Sequence, residues 1–466
     1  MTVAEAVQRQ VAADDLTRAH DLSSQWNAYF GRYDDALDVP AGGADDNVKL
    51  PLARIFVDAS RSFLFGKEPE FTISDNANAE EYLDEVWDAN EKQSLLNLIA
   101  LNGGVTGHAF ARLYEPGIGQ MPRIIPLDPQ TVDVVWSEDD YTDVTAYVIT
   151  WTVERRPDPV SDPVMVAKRQ LIERAENRLT WLITDQESKG DRKGWKTTGT
   201  AVWAHAYAPI VDCQNLPVPN CYYGVSDLES DVLGLIKTLN YQASNMNRIL
   251  RLHAHPKVYV RGAVPPIAQP GDAPYGFAEF GQNGQRQGQP RMDWGPDEAI
   301  FLQGDGEVGQ LVPAADMSAS LQFFDRMLQI LHETARIPEV ALGITEGVGP
   351  VPGVTLKILY GPLLSMTEDK RRLYGEMLVE LSRRILDLGG YGDNLKPEIS
   401  WPDPMPRDPM TEAQAAVMLE QAGVSKATAL TDLGYDSDVE QTQRQADAQE
   451  AGSALMNAMA QNAQGG

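Results

Sequence analysis

The chain is poor in the residues that carry chemistry. Its 466 residues include two cysteines, Cys213 and Cys221, and six histidines. Two cysteines build no disulfide framework, so the chain reads as one folded in a reducing cytoplasm. Their spacing fits no common zinc pattern, and no further ligands cluster beside them. No apolar run approaches the roughly 18 residues of a membrane span. The opening M-T-V-A-E-A-V-Q lacks the basic-then-apolar order of a secretory leader, so neither leader nor span is expected. Cations are scarce: 39 Lys and Arg face 67 Asp and Glu, a formal charge of −28. Neutralising phosphates needs Lys and Arg, so this balance argues against a protein that grips nucleic acid. It argues equally against docking on anionic lipid. A surface along which a polyanion passes without sticking stays compatible with it.

Patterns that begin like catalytic motifs fail on inspection. His332-Glu-Thr-Ala-Arg336 opens like a zinc-protease helix, but its fifth residue is Arg, so the second imidazole is missing. His253 and His255 stand at a helix end, where they complement the helix dipole. Residues 343–353, G-I-T-E-G-V-G-P-V-P-G, form a Gly/Pro loop without the Lys-Ser/Thr ending of a phosphate loop. Gly103-Gly-Val-Thr-Gly107 reads as a turn before a strand, and no G-x-S-x-G elbow is present. The acidic pairs Asp45-Asp46 and Asp139-Asp140 read as solvated charges. No catalytic residue, cofactor site or metal site is assigned.

What the chain does have is length and periodicity. At roughly 150 residues per domain, it has room for about three domains. Leu22, Trp26, Tyr29, Phe30 and Tyr33 fall at helical spacing. Further helices are expected over 47–69, 79–87 and 94–102, the last ending at Gly103-Gly104. Strand chemistry follows at 108–114, 123–127, 132–136, 146–152 and 179–184, so the fold class is α+β. Ser226-Asp-Leu-Glu229 reads as a capping box before an amphipathic helix of about 28 residues, on the order of 40 Å long, which Pro256 stops. A strand at 257–264, a Gly/Gln/Pro-rich stretch to Pro290 and a strand at 299–303 follow. A second helix from Met317 to Ala335 is closed by Pro338. Two long helices thus bracket a loop-rich β insert. A further helix over 354–388 contains Pro362, which should kink it. Residues 397–409 read as a Pro-rich linker, and helices over 411–422, 425–433 and 438–459 close the chain.

The order of these features resembles the portal proteins of tailed double-stranded DNA bacteriophages, of the siphovirus type. Asn47, Ile55-Phe-Val-Asp58 and Phe63-Leu-Phe-Gly-Lys-Glu-Pro69 are similar to their N-terminal helix and Gly-Lys-x-Pro turn. Pro209-Ile-Val211, Asn215 and Tyr223-Gly-Val-Ser-Asp227 resemble the strand, loop and helix that enter the stem. Ala335-Arg-Ile-Pro-Glu-Val-Ala-Leu-Gly343 and Gly353-Val-Thr-Leu-Lys357 resemble the flanks of the tunnel loop, although Pro352-Gly353 stands where the family often has Ser-Gly. Gln421-Ala-Gly-Val-Ser425 resembles the Gly-Val-Ser turn of the crown.

The resemblance implies a portal-type α+β ring subunit. An α/β wing would comprise 1–224 and 337–400, with a tunnel loop at about 343–355 and a long kinked helix over 356–388. Stem helices would lie at 225–254 and 313–336, a small α/β clip at 255–312, and a helical crown with a flexible tail at 401–466. The resemblance further implies a dodecamer at one capsid vertex of the virion, assembled in the host cytoplasm, through which viral DNA is packaged and ejected. Its partners would be the terminase large subunit, then head-completion or adaptor proteins, with major capsid and scaffolding proteins around it. It implies no enzymatic activity, no cofactor and no membrane. The tunnel loop would use Gly343, Thr345, Glu346, Gly347, Val348, Gly349 and Val351, with Lys357 just beyond. Lys257, Arg261, Arg286 and Arg291 would be the clip contacts to terminase and adaptor. The loop has one charge, Glu346, and twelve copies would carry about −336, so a non-adhesive constriction is expected. Another ring-forming head-tail connector, usually far shorter, and a soluble enzyme with an unrecognised site are the alternatives.

Overall fold

A first helix, α1 (residues 18–29), carries aromatic residues at helical spacing toward its end: Trp26 stacks on Phe30, just past the helix, and meets Tyr29 edge-on. The structure is a computed structural model. It describes residues 18–39, 45–74, 76–115, 117, 120–156, 162–188, 194–254, 257–261, 307–311, 317–344 and 357–405, together with Met418, Gln421 and Ser425. The chain divides into two units, Met1–Pro402 and Asp403–Gly466. All elements named here belong to the first.

Helices α2 (Leu52–Phe65), α3 (Ala77–Ala89) and α4 (Lys92–Thr106) follow α1, with the short strand β1 (Glu70–Thr72) between α2 and α3. Asn76 caps α3 by accepting from the Ala79 amide at 3.2 Å. Strands β2 (His108–Tyr114), β3 (Arg123–Leu127) and β9 (Ile210–Gln214) form a three-stranded sheet in the order β3-β2-β9. Strands β4 (Val132–Trp136), β5 (Val144–Arg155), β6 (Val164–Arg174), β7 (Trp181–Ser188) and β8 (Lys196–Trp203) form a five-stranded antiparallel meander in chain order. The chain then enters α5 (Ser230–Ala254), passes through the paired strands β10 (Lys257–Arg261) and β11 (Glu307–Leu311), and returns by α6 (Met317–Ala335). A 3-10 turn at Glu339–Leu342, the long helix α7 (Gly361–Leu388) and β12 (Glu398–Ser400) complete the unit, with β12 antiparallel to β1. The result is a mixed helix-and-sheet α+β fold.

Two apolar clusters hold it together. In the first, α3, α4 and the C-terminal half of α7 cover the sheets through buried Trp87, Leu96, Phe110, Tyr374, Leu381 and Ile385. In the second, α2, α5, α6 and the start of α7 meet through Phe56, Leu228, Ile236, Leu331 and Leu363. Burial of this kind contributes about 25 cal/mol per Å² of apolar surface, reckoned against an extended chain.

Several expectations change in the folded chain. Helix α2 starts at Leu52, and residues 47–51 precede it without regular secondary structure. Helix α4 continues through Gly103 and Gly104 to Thr106 and ends at Gly107, whose φ of 84° is left-handed. A Cβ on Gly103 would stand 1.9 Å from the Tyr374 hydroxyl, and one on Gly104 would stand 3.2 Å from Asp227 Oδ2. These two glycines serve close approach, not termination. Pro362 sits in the first turn of α7, where a missing amide is tolerated. The helical run from 357 to 388 is interrupted by a turn at Tyr360, two residues before Pro362. Part of the expected linker is strand β12, and Trp401 beyond it packs on Phe65. Strands β6 and β8 were not expected, because charges interrupt the first and Gly199 the second. The strand expected at 299–303 lies outside the described residues, as do the three expected C-terminal helices apart from Met418 and Gln421, which are helical, and Ser425.

Candidate functional site

Helices α5 and α6 flank the β10–β11 ladder, in which Lys257 opposes Leu311 and Arg261 opposes Glu307. Lys257 and Arg261 thus lie at the two ends of β10, while Arg286 and Arg291 lie outside the described residues. Of the Gly/Pro loop, Gly343 closes the 3-10 turn with a left-handed φ of 80°. Thr345, Glu346, Gly347, Val348, Gly349 and Val351 lie outside the described residues. Lys357 is exposed, and Ile358 beside it is 71% exposed.

The two ends of this loop are pinned together. The Tyr360 hydroxyl donates to the Val340 carbonyl at 3.1 Å, and the Tyr360 ring stacks on Phe63 of α2. His332 Nδ1 donates to the Ile337 carbonyl at 2.8 Å and its ring meets Phe56 edge-on. The histidine of the H-E-T-A-R pattern is therefore occupied in closing the end of α6. Arg336 at that pattern's close takes a left-handed φ of 57° that turns the chain toward the loop.

A buried polar hub joins this frame to the start of α5. Lys370 Nζ of α7 lies 2.6 Å from both carboxylate oxygens of Asp227 and donates to Ser60 Oγ of α2 at 2.7 Å. Asn215 Nδ2 donates to Asp227 Oδ1 at 2.9 Å, and the Tyr374 hydroxyl donates to Asn215 Oδ1 at 3.1 Å. Both ionic side chains are buried, at 3% and 4% exposure. Burial pulls the Lys370 ammonium below its ordinary range, and the facing Asp227 charge opposes that shift. The expected capping box does not form. Ser226 Oγ accepts from the Leu228 amide but donates to the carbonyls of Gly104 and Val105, and the helix starts only at Ser230. Ser226 thus ties the approach to α5 onto the C-terminal end of α4.

Farther along α5, residues 45–50 strap across the helix. Asp46 receives a bidentate pair from Arg251 at 2.6 and 2.7 Å and a further bond from Arg248 at 3.2 Å. The Val48 amide donates to Ser244 Oγ and the Leu50 amide to Asn240 Oδ1, each at 2.9 Å. The pair Asp45-Asp46 was expected to be solvated. Instead the Asp46 side chain is only 2% exposed, and the hydrogen bond from Arg251 leads the effects that hold its carboxyl below the usual range.

A cavity of about 860 Å³ lies where α7 meets the sheets. Asp212 at its wall accepts from His108 Nε2 at 2.8 Å, from Tyr147 at 2.9 Å and from Tyr222 at 2.5 Å. Burial alone would raise the Asp212 carboxyl, but these three donors outweigh it and hold the group below the usual range. A folded value below the unfolded one stabilises the fold above the unfolded carboxylate range, near 3.9, and that contribution fades as pH falls through the folded value. Asp212→Asn is therefore expected to be less stable than the parent chain at pH 7, with the gap narrowing in acid. Denaturant midpoints of both proteins from pH 7 to pH 3 measure it, and a pH-independent gap contradicts the assignment. Cys213 also lines this cavity, and burial pushes its thiol up, away from the reactive thiolate.

Among the described residues, no group of three or more His, Cys, Asp or Glu side chains could hold a metal ion. No described helix is long and apolar enough to cross a membrane. The hub residues Lys370 and Tyr374 escaped the sequence reading, although a signal existed. Lys370 sits between Met366 and Tyr374 on the apolar stripe of α7, where a cation requires a buried partner.

The sequence matches the family described as "Phage portal protein, SPP1 Gp6-like" over residues 17–161 and 215–454. No curated protein matches it. Among solved structures, one similar chain belongs to the neck of an empty GTA particle, with 13% identity, 89% of this chain and 93% of that chain covered, and a TM-score of 0.44. A second comes from the virion of a native gene transfer agent particle, with 14% identity, the same coverage and a TM-score of 0.39.

Proposed function

The chain belongs to the SPP1 Gp6-like family of phage portal proteins, the subunits of the channel at a capsid vertex, and from that premise we propose that twelve copies close into a ring around the path of the viral DNA. The family is structural, not enzymatic. The family match over most of the chain carries this reading. In it, α5 and α6 are the stem, the β10–β11 ladder belongs to the clip, and residues 337–400 return to the wing with the tunnel loop between Gly343 and Lys357. The crown follows from residue 401.

The physical features fit a conduit. The formal charge of −28 per copy disfavours tight grip on phosphates. The loop between the pinned ends carries Glu346 and no cation, so it would constrict the bore without binding the duplex. The clip cations Lys257, Arg261, Arg286 and Arg291 would meet the terminase large subunit during packaging and adaptor proteins afterwards. Major capsid and scaffolding proteins would surround the wing, after assembly in the host cytoplasm.

Negative-stain imaging of the purified protein tests the ring directly. Rings of twelve or thirteen subunits with a central hole are expected, and monomers alone reject the proposal. Lys357→Ala separates passage from assembly. Rings should form as in the parent chain while the rate of DNA packaging changes. Loss of the ring would show that Lys357 serves assembly and not the channel.

A further inference from the structure

The family match stops at residue 161 and resumes at residue 215. The skipped stretch contains β6, β7 and β8, the outer three strands of the five-stranded sheet. One end of that sheet is covered. On β4, the Val134 amide donates to the Tyr223 hydroxyl and Arg18 donates to the Val132 carbonyl, with Arg18 also lying 4.0 Å from the centre of the Tyr223 ring. The other end is bare among the described residues. Strand β8 pairs with β7 alone and is exposed along most of its length. Lys196 and a register shift between Asp185 and Gln186 guard the start of this edge, but residues 197–203 carry no charge and no proline, so most of its length is unguarded.

The face beside this edge is apolar as well. Leu182 and Val202 stand directly opposite each other across β7 and β8, 40% and 65% exposed, and Leu179 in the preceding turn is 64% exposed. Charge singles out the same region. Residues 162–214 hold eight cations and seven anions, a net +1, while the other residues of the chain carry −29. Copies of so acidic a protein repel one another over most of their surfaces, and least here. A phosphate polymer is the poorer fit. Lys168 is engaged with Glu187, Arg174 and Arg178 with Asp143, and Arg169 with Gln186 and Trp195, so four of the eight cations are already occupied, and the seven anions among them offset the rest against phosphate.

We propose that the β6–β8 extension is a docking surface for a second copy of this chain, in which an extended segment of the neighbouring subunit's acidic body adds to the open edge of β8 and covers Leu182 and Val202. Strand addition of this kind draws affinity from main-chain hydrogen bonds and specificity from the flanking side chains. The inference rests on the ring reading and deepens it, assigning part of the subunit contact to a stretch that the family pattern does not describe.

The test uses the full chain. Thr200→Glu with Val202→Glu places two negative charges on exposed positions of β8, facing an acidic neighbour. The ring fraction at equal subunit concentration should fall about tenfold, the equivalent of roughly 1.4 kcal/mol, with the subunit's circular dichroism unchanged. Val202→Thr, which keeps β propensity, should assemble as the parent does. Amide hydrogen exchange supplies a readout independent of any variant: backbone amides of residues 196–203 should be slower in parent rings than in subunits dissociated by dilution. Parent rings with unprotected β8 amides and normal assembly of the double variant overturn the proposal and leave the ring reading standing. Protection that arises only when purified major capsid protein is added overturns it in favour of a capsid contact. A parent chain that stays monomeric defeats the ring reading itself.

Discussion

Lys370→Met is expected to lower the stability of the first unit by about 3–5 kcal/mol, the usual cost of removing one partner from a buried ion pair. The cost arises from what remains. Asp227 would keep its charge at 4% exposure, with Asn215 Nδ2 as a surviving donor at 2.9 Å. Ser60 Oγ, itself buried, would lose a donor at 2.7 Å. The double variant Lys370→Met, Asp227→Leu removes both charges and should recover much of the loss, because a well-packed apolar pair in place of a buried salt bridge is often neutral or better. Denaturant midpoints of the three variants measure this, compared as shifts because a chain of two units need not unfold in one step. A single-variant loss below about 1 kcal/mol would mean that the hub is exposed or relaxed in solution. The consequence for function is positional. Lys370 is the point where the helix carrying the loop touches the first residues leading into α5, so its loss should loosen the loop frame relative to that helix.

The second large effect is expected at Gly103. Gly103→Ala should destabilise by roughly 2–3 kcal/mol, as overpacking of a tight core does, although alanine is the better helix former by about 1 kcal/mol. The added Cβ would lie 1.9 Å from the Tyr374 hydroxyl. That hydroxyl is held by Asn215, and its ring packs edge-on against Phe65, so it has little room to retreat. Removing the hydroxyl relieves most of the clash, since the next atom, Tyr374 Cζ, stands 3.1 Å away and needs to give by only a few tenths of an ångström. Tyr374→Phe alone should cost about 1 kcal/mol through the lost hydrogen bond. The pair of substitutions should therefore cost less than the sum of the two single changes, and a double-mutant cycle reads that coupling. Strict additivity would place the clash elsewhere.

These two sites mark how far the sequence can be read. The helices that became α5, α6 and α7 show as apolar stripes at a period of three to four residues, and the strands β2, β3 and β4 as compact runs of β-branched and aromatic residues. Such signals act within a few residues of themselves, which is why they survive without a fold. Gly103-Gly104 misled because glycine has two uses. It can end a helix by adopting a left-handed conformation, or let another element come close, and only the presence of Tyr374 and Asp227 tells which. Asp46 misled for a related reason. An acid beside another acid in a polar stretch looks solvated until Arg248 and Arg251, some two hundred residues later, are laid against it.

The chain on its own determined its main helices and the strands β2 to β4, its acidic and cysteine-poor character and the feature order by which it resembles the portal family, since each of these is local or compositional. The folded arrangement alone decided that Lys370 meets Asp227 across 143 residues of sequence, that the loop ends are pinned by Tyr360, and that β8 is an open edge among the described residues. A buried charge has no partner, and a strand no edge, until packing has chosen which distant segments become neighbours.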